Sequence, residues 1–224
     1  MILPILLSVK FAALATAINI PVAVVLQLFL VNHDFRGKLV IDGLINLPLV
    51  MPPVTTGYLL LILLGKNGII GSLLYSWWGI RIAFTPAAAV IASMIVSFPL
   101  IARSLKISLE MTDHRLEDVA RTLGAGKVST FFRVTFQIIL PGLINGAILG
   151  FARSLGEFGA TMIFAGNIQG ETRTIPLSVY TYLQIPGKEH YAAGLVAVSI
   201  GISFAAMILS SVLNKKREKY ELAV

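Results

Sequence analysis

The chain has 224 residues, of which 56% are hydrophobic and 13% charged, with a formal net charge of +7. A soluble domain averages about 25% charged residues, so an ordinary soluble fold is excluded, and charges clustered between long apolar runs read as a polytopic membrane protein. The absence of cysteine excludes disulfide and thiolate chemistry, His33, His114 and His190 lack a metal-ligand spacing, and no basic stripe interleaved with aromatics marks a nucleic-acid surface.

The first apolar run predicts a membrane span over Phe11–Val31, extended outward by Ile2 to Val9. A cleaved signal peptide is the alternative, but its apolar core is only ~7–15 residues long, so a retained helix is expected. The second span covers Val40–Leu64 and contains Pro48, Pro52 and Pro53. These prolines supply no amide donor, so carbonyls lose their helical partners within the membrane. Either a packed kink or a lined pathway accommodates that, with the Thr55 and Thr56 hydroxyls available to the freed carbonyls.

Gly65–Thr85 reads as an outer connection, with Tyr75, Trp77 and Trp78 suited to the membrane interface. A short third span is expected over Pro86–Ala102, interrupted by Pro99. Next comes the longest polar interval, Glu110–Pro141. In it Leu116, Val119, Ala120 and Leu123 recur at helical spacing, opposite Glu117, Asp118 and Arg121. Gly124-Ala125-Gly126 ends this amphipathic helix, Arg115–Leu123, and a second helical run starts at Ser129.

The fourth span is expected over Ile138–Ala165. Within it Arg153 and Glu157 are four apart and able to pair on one helical face. Ionisable groups in a span face a bundle interior or an aqueous path, and either a structural ion pair or a pathway pair fits. Gly146, Gly150, Gly156 and Gly159 permit close helix approach, at a dimer seam or along a pathway. Gly166–His190 forms a second outer connection containing a helix at Ile175–Leu183, and the uncharged fifth span, Tyr191–Leu213, leads into a basic tail.

Twelve of the 18 basic residues fall in the first polar loop, the interval from Arg103 to Gln137 and the tail. The positive-inside rule then places the amino terminus outside, and the central interval and carboxyl terminus in the cytoplasm. Catalytic constellations are missing. Gly126-Lys127 fails as a phosphate loop, because Arg121 stands where Gly is needed and Val128 where Ser or Thr is needed.

The stretch Asp118-Val119-Ala120-x3-Gly124-x9-Val134-x-Phe136 resembles the "EAA" loop of ATP-binding-cassette importer permeases. It departs from that pattern at Asp118 (usually Glu), at Val134 and Phe136 (usually Ile and Leu), and at Gln137 (usually Pro). Leu47–Gly65, Ser97–Glu110 and Phe151–Tyr180 are similar to molybdate-type permeases. The resemblance implies an all-α integral membrane fold of the type I importer kind, with about five transmembrane helices and a cytoplasmic coupling helix. It further implies a homodimer in the cell membrane, two cytoplasmic ATPase subunits holding ATP and Mg, and an external oxyanion-binding protein. No cofactor is expected on this chain itself. Glu117, Asp118, Ala120, Arg121, Leu123 and Gly124 would meet the ATPase. Pro52, Pro53, Thr55, Thr56, Arg153 and Glu157 are the candidate pathway residues. A sulfate-type permease, a stand-alone carrier or channel, and an intramembrane enzyme are the alternatives.

Overall fold

The computed structural model describes residues 2–111 and 115–221, so Asp113 and His114 lie outside the described residues. Among the described residues every regular element is helical. The first helix, α1 (Ile2–Asn32), runs unbroken through Pro21. At about 46 Å it exceeds the ~30 Å hydrocarbon core of a bilayer. It takes in the whole Ile2 to Val9 stretch, and Lys10 sits exposed on its side.

Helices α2 (Lys38–Val50) and α3 (Pro53–Leu64) are bent by 118° at Met51–Pro52. Consecutive prolines remove two donors at that junction, while Pro48 is carried inside α2. In place of the expected continuous second span there are two helices joined at a sharp bend. Next is α4 (Ile69–Trp78), which leaves Trp77 and Trp78 exposed and is closed by Gly79 in the left-handed region. Beside it Lys66 and Arg81 lie over the Tyr75 ring, and the Arg81 hydrogen bond holds the phenol below its ordinary pKa.

Thr85 caps and Pro86 opens α5 (Pro86–Glu110), a 25-residue helix. This corrects the expected third span. Pro99 is buried inside the helix without ending it, and the helix continues past Ala102 to Glu110. The central interval forms α6 (Arg115–Thr122), α7 (Lys127–Thr130) and a π-helical turn (Phe131–Thr135) that runs into α8 (Phe136–Leu155). The expected fourth span is also corrected. It stops at Leu155 and resumes as a separate short helix, α9 (Gly159–Phe164). The chain closes with α10 (Ile175–Leu183), as expected from its Pro176, and α11 (Glu189–Glu221).

Among the described residues, four helical stretches are long and apolar enough to cross a membrane, Ile2–Asn32, Pro86–Glu110, Lys127–Leu155 and Glu189–Ile208. The bent α2–α3 pair makes a fifth if it is taken as one span. The core lies between α1, α5 and α8, where Ala23, Ile101, Leu105, Leu109 and Ile139 are buried together. Gly146 and Gly150 face α5, and a Cβ at Gly150 would lie 2.6 Å from the Ile101 side chain. The glycine stripe thus builds a seam within the chain. Helix α2 buries no residue, and α11 leaves Val196, Ile200, Phe204 and Ile208 exposed. The loop from Asn32 to Lys38, the end of α5 and α6 itself share one end of the bundle, referred to below as the α6 end.

Candidate functional site

The two helix breaks meet. Gly57 of α3 packs on the Ala160 backbone, where a Cβ would come within 2.7 Å of its Cα, and Gly159 packs on Pro53 and Val54. Discontinuous spans that meet in this way mark the binding regions of many transporters. At the first break the backbone repairs itself. The Pro52 carbonyl accepts from the amides of Thr55 (2.9 Å) and Thr56 (3.2 Å). The expected role of the threonine hydroxyls is not borne out, because Thr55 points to the surface and the buried Thr56 Oγ1 has no hydrogen-bond partner. Pro52 and Pro53 are exposed, like Thr55.

At the second break Arg153 Nη1 lies 2.8 Å from Glu157 Oε2. The pairing is as expected, but its cause differs, since α8 has already ended at Leu155 and Glu157 lies in the irregular turn beyond. Burial of Glu157 (2% exposed) removes it from water, so its carboxylate needs full compensation. Arg153 supplies one partner and the Ala160 amide, 2.8 Å from Oε1, supplies another. Arg153 keeps about a third of its side chain exposed, at 31%. The site therefore presents a partly open guanidinium over a buried, neutralising carboxylate.

The second candidate region is α6. Gly124 adopts φ +86, a conformation that disfavours a side chain, and the Gly124 and Ala125 amides close the turn on Arg121 and Ala120. Leu116, Val119 and Leu123 (83% exposed) form an uncovered apolar stripe, with Ala120 half-buried beside it and Asp118 and Arg121 exposed. Glu117 is turned the other way. It accepts a hydrogen bond from the buried Thr135 of the π-helical turn and sits 3.8 Å from Arg121. Of the two acidic candidates, only Asp118 faces outward.

Several residues that matter to this geometry gave little signal in the sequence. Thr135 is the unspecified position between Val134 and Phe136, and nothing singled out Gly57 within Leu47–Gly65. Asp42, which bonds Lys106 at 2.5 Å, was visible only as a lone acid inside an apolar run. The unpartnered, buried Oε1 of Gln27 carried no signal at all.

Over residues 19–219 the chain matches the family described as binding-protein-dependent transport system inner membrane component. It belongs to that family of transport permeases. The molybdenum transport system permease protein ModB of Escherichia coli K12 is 47% identical over 211 residues, covering 94% of this chain and 92% of that protein. ModB of Haemophilus influenzae is 46% identical, covering 95% and 93%. A putative molybdenum transport permease of Bacillus subtilis, YvgM, is 35% identical, covering 95% and 92%. Among solved structures, a bacterial ABC transporter that imports the acidic polysaccharide alginate matches with a TM-score of 0.70 at 14% identity, covering 97% of this chain and 79% of that one. An amino acid ABC transporter matches at 0.61 and 18%, covering 95% and 92%. These structural likenesses show the fold, and the family match makes the chain a multi-pass inner membrane component of a binding-protein-dependent transport system.

Proposed function

We propose that this permease is the membrane subunit of an ATP-driven importer of molybdate, with tungstate an equivalent cargo because both are tetrahedral dianions of nearly equal size. The observation that carries this reading is the 47% identity, over nearly the whole chain, to a molybdenum transport permease. Two copies form the pathway, two ATPase subunits sit in the cytoplasm, and a binding protein delivers the oxyanion outside. The amino terminus is external and α6 is cytoplasmic, in accord with the distribution of basic residues. ATP and Mg belong to the ATPase, since the one phosphate-loop-like dipeptide of this chain, Gly126-Lys127, fails its spacing.

The exposed Leu116, Val119 and Leu123 stripe suits the ATPase cleft, with Asp118 at its edge. Thr135 and Glu117 fasten α6 to the π-helical turn, and α8 extends about 26 Å from that turn to Arg153. A push on α6 is thereby delivered to the paired helix breaks as rigid-body motion, one arm of a two-state equilibrium biased from both sides of the membrane. Arg153 offsets the charge of the passing dianion, and Glu157 keeps that attraction from becoming a trap.

Reconstitution into proteoliposomes with the ATPase and binding protein tests this. ATP-dependent uptake of molybdate, competed by tungstate and not by sulfate, is the expected result. Uptake without the ATPase would establish a stand-alone carrier instead, and sulfate uptake that ignores molybdate would overturn the cargo.

A further inference from the structure

Helix α4 turns an uncovered apolar side outward. Ile69, Leu73 and Trp77 recur at helical spacing and are exposed, with Trp78 exposed beside them. Ser72, Tyr75 and Ser76 occupy the other side of the helix. The helix packs chiefly against α3, and it precedes the span α5, so it lies at the end of the bundle opposite α6. A short helix of this pattern beside membrane spans lies in the interface plane, with its tryptophans at headgroup level.

The polar edge of α4 carries two cations that flank the helix in sequence and are brought by the fold to one ring. Lys66 Nζ lies 4.7 Å from the centroid of Tyr75, Arg81 Cζ lies 5.0 Å from it, and Arg81 Nη2 donates to Tyr75 Oη at 3.2 Å. A ring face attracts a cation without neutralising it. No acidic residue occurs between Asp42 and Glu110, and both of those stand at the α6 end beside Lys106. Neither Lys66 nor Arg81 forms an ion pair among the described residues. The phenol registers this excess of positive charge, since the Arg81 hydrogen bond and then the charge of Lys66 hold it below its ordinary pKa. Two uncompensated cations at headgroup level call for an anion.

We propose that Lys66, Tyr75 and Arg81 bind the phosphodiester of an anionic phospholipid in the leaflet at this end, while Ile69, Leu73 and Trp77 rest on its acyl chains. The inference rests on the membrane-spanning fold and not on the cargo. Lys66 and Arg81 donate to phosphate oxygens, and the Tyr75 hydroxyl, which accepts from Arg81, donates its own proton to another. A zwitterionic headgroup carries its own ammonium and brings no net charge to the pair, whereas phosphatidylglycerol brings one negative charge. The apolar side decides between a lipid and a soluble acidic partner. An acidic protein surface would satisfy the cations but leave Ile69, Leu73 and Trp77 uncovered.

The chain holds two tryptophans and both are in α4, so its tryptophan fluorescence reports on this site alone. The full-length chain is reconstituted into phosphatidylcholine vesicles, and phosphatidylglycerol with brominated acyl chains, a short-range quencher of tryptophan, replaces the host lipid stepwise. Brominated phosphatidylcholine gives the reference series. Phosphatidylglycerol should be preferred about 25-fold at low salt, at about fivefold for each cation, and the preference should fall as salt screens the pair. Lys66→Gln and Arg81→Gln should each remove about fivefold. The double glutamine variant should be quenched alike by both lipids, while Lys66→Arg combined with Arg81→Lys should keep most of the preference. Equal quenching by the two lipids in the wild type, or a preference retained in the double glutamine variant, overturns the proposal. So does weak quenching by both lipids, which would show that protein covers α4. Loss of the preference in millimolar inorganic phosphate, but not in chloride of equal ionic strength, also overturns it, because the site would then take soluble phosphate.

Discussion

Glu157 is a buried carboxylate whose two partners differ in kind. The Ala160 amide is fixed backbone, while the Arg153 guanidinium is partly open to water. Removing one member of such a pair is therefore asymmetric. Arg153→Ala strands a buried charge, a change that costs about 3–5 kcal/mol in a dry interior and about 2 kcal/mol here, given the solvent near Arg153. Glu157→Gln lets Arg153 turn to water and leaves a side-chain carbonyl for Ala160, so its cost should stay near the ~1 kcal/mol of one hydrogen bond. Unfolding midpoints in detergent should thus rank wild type, Glu157→Gln, Arg153→Ala, with the double variant recovering much of the loss. A Glu157→Gln variant less stable than Arg153→Ala would contradict this account. Oxyanion uptake gives the functional counterpart, and Arg153→Ala should impair it while leaving ATPase association intact. Residue spacing alone found this pair, although the helical face invoked for it ends before Glu157.

At the scale of elements, the meeting of α3 with α9 depends on backbone contact. A methyl at Gly57 would press on the Ala160 backbone at 2.7 Å, and backbone has nowhere to go. Gly57→Ala should therefore destabilise by about 1–3 kcal/mol through overpacking. The matched change Gly43→Ala meets nothing within 4 Å. Placed in the interior of α2, it should be neutral or stabilising by about 0.5–1 kcal/mol. Comparing the two midpoints tests the junction itself, since helix propensity acts the same way in both. For α6, Leu123→Asp should leave the permease folded, because Leu123 is 83% exposed, yet abolish copurification of the ATPase. Retained ATPase in that variant would remove α6 from the docking surface. Hydropathy located these elements well and failed at their ends. Pro99 suggested a stop, but α5 absorbs it, whereas the apolar run around Gly156 concealed a real break. Pro52 and Pro53 announced theirs, because two absent donors in sequence cannot be hidden in a helix.

For the whole molecule, what remained illegible were contacts between distant segments. Gln27, Asp42 and Lys106 line one chamber from three helices, and no periodicity links positions so far apart. Orientation is the opposite case, because it is encoded in composition alone. Twelve of the 18 basic residues lie in segments assigned to one side, and each carries an energetic bias against translocation. The absence of cysteine makes the natural chain its own background for labelling. Ala125→Cys lies in the turn after α6, and Ser76→Cys lies on the exposed face of α4. In right-side-out vesicles a membrane-impermeant maleimide should modify Ser76→Cys and spare Ala125→Cys until the membrane is permeabilised. The pattern must also be complementary in inside-out vesicles, where Ala125→Cys reacts and Ser76→Cys does not. The reverse pattern would turn the α6 stripe outward, where it cannot meet a cytoplasmic ATPase. Labelling of both sites from one side would mean that α5 does not cross the membrane. A single pair of substitutions therefore tests the charge rule and the docking helix together, since both require α4 outside and α6 inside, on opposite sides of the span α5.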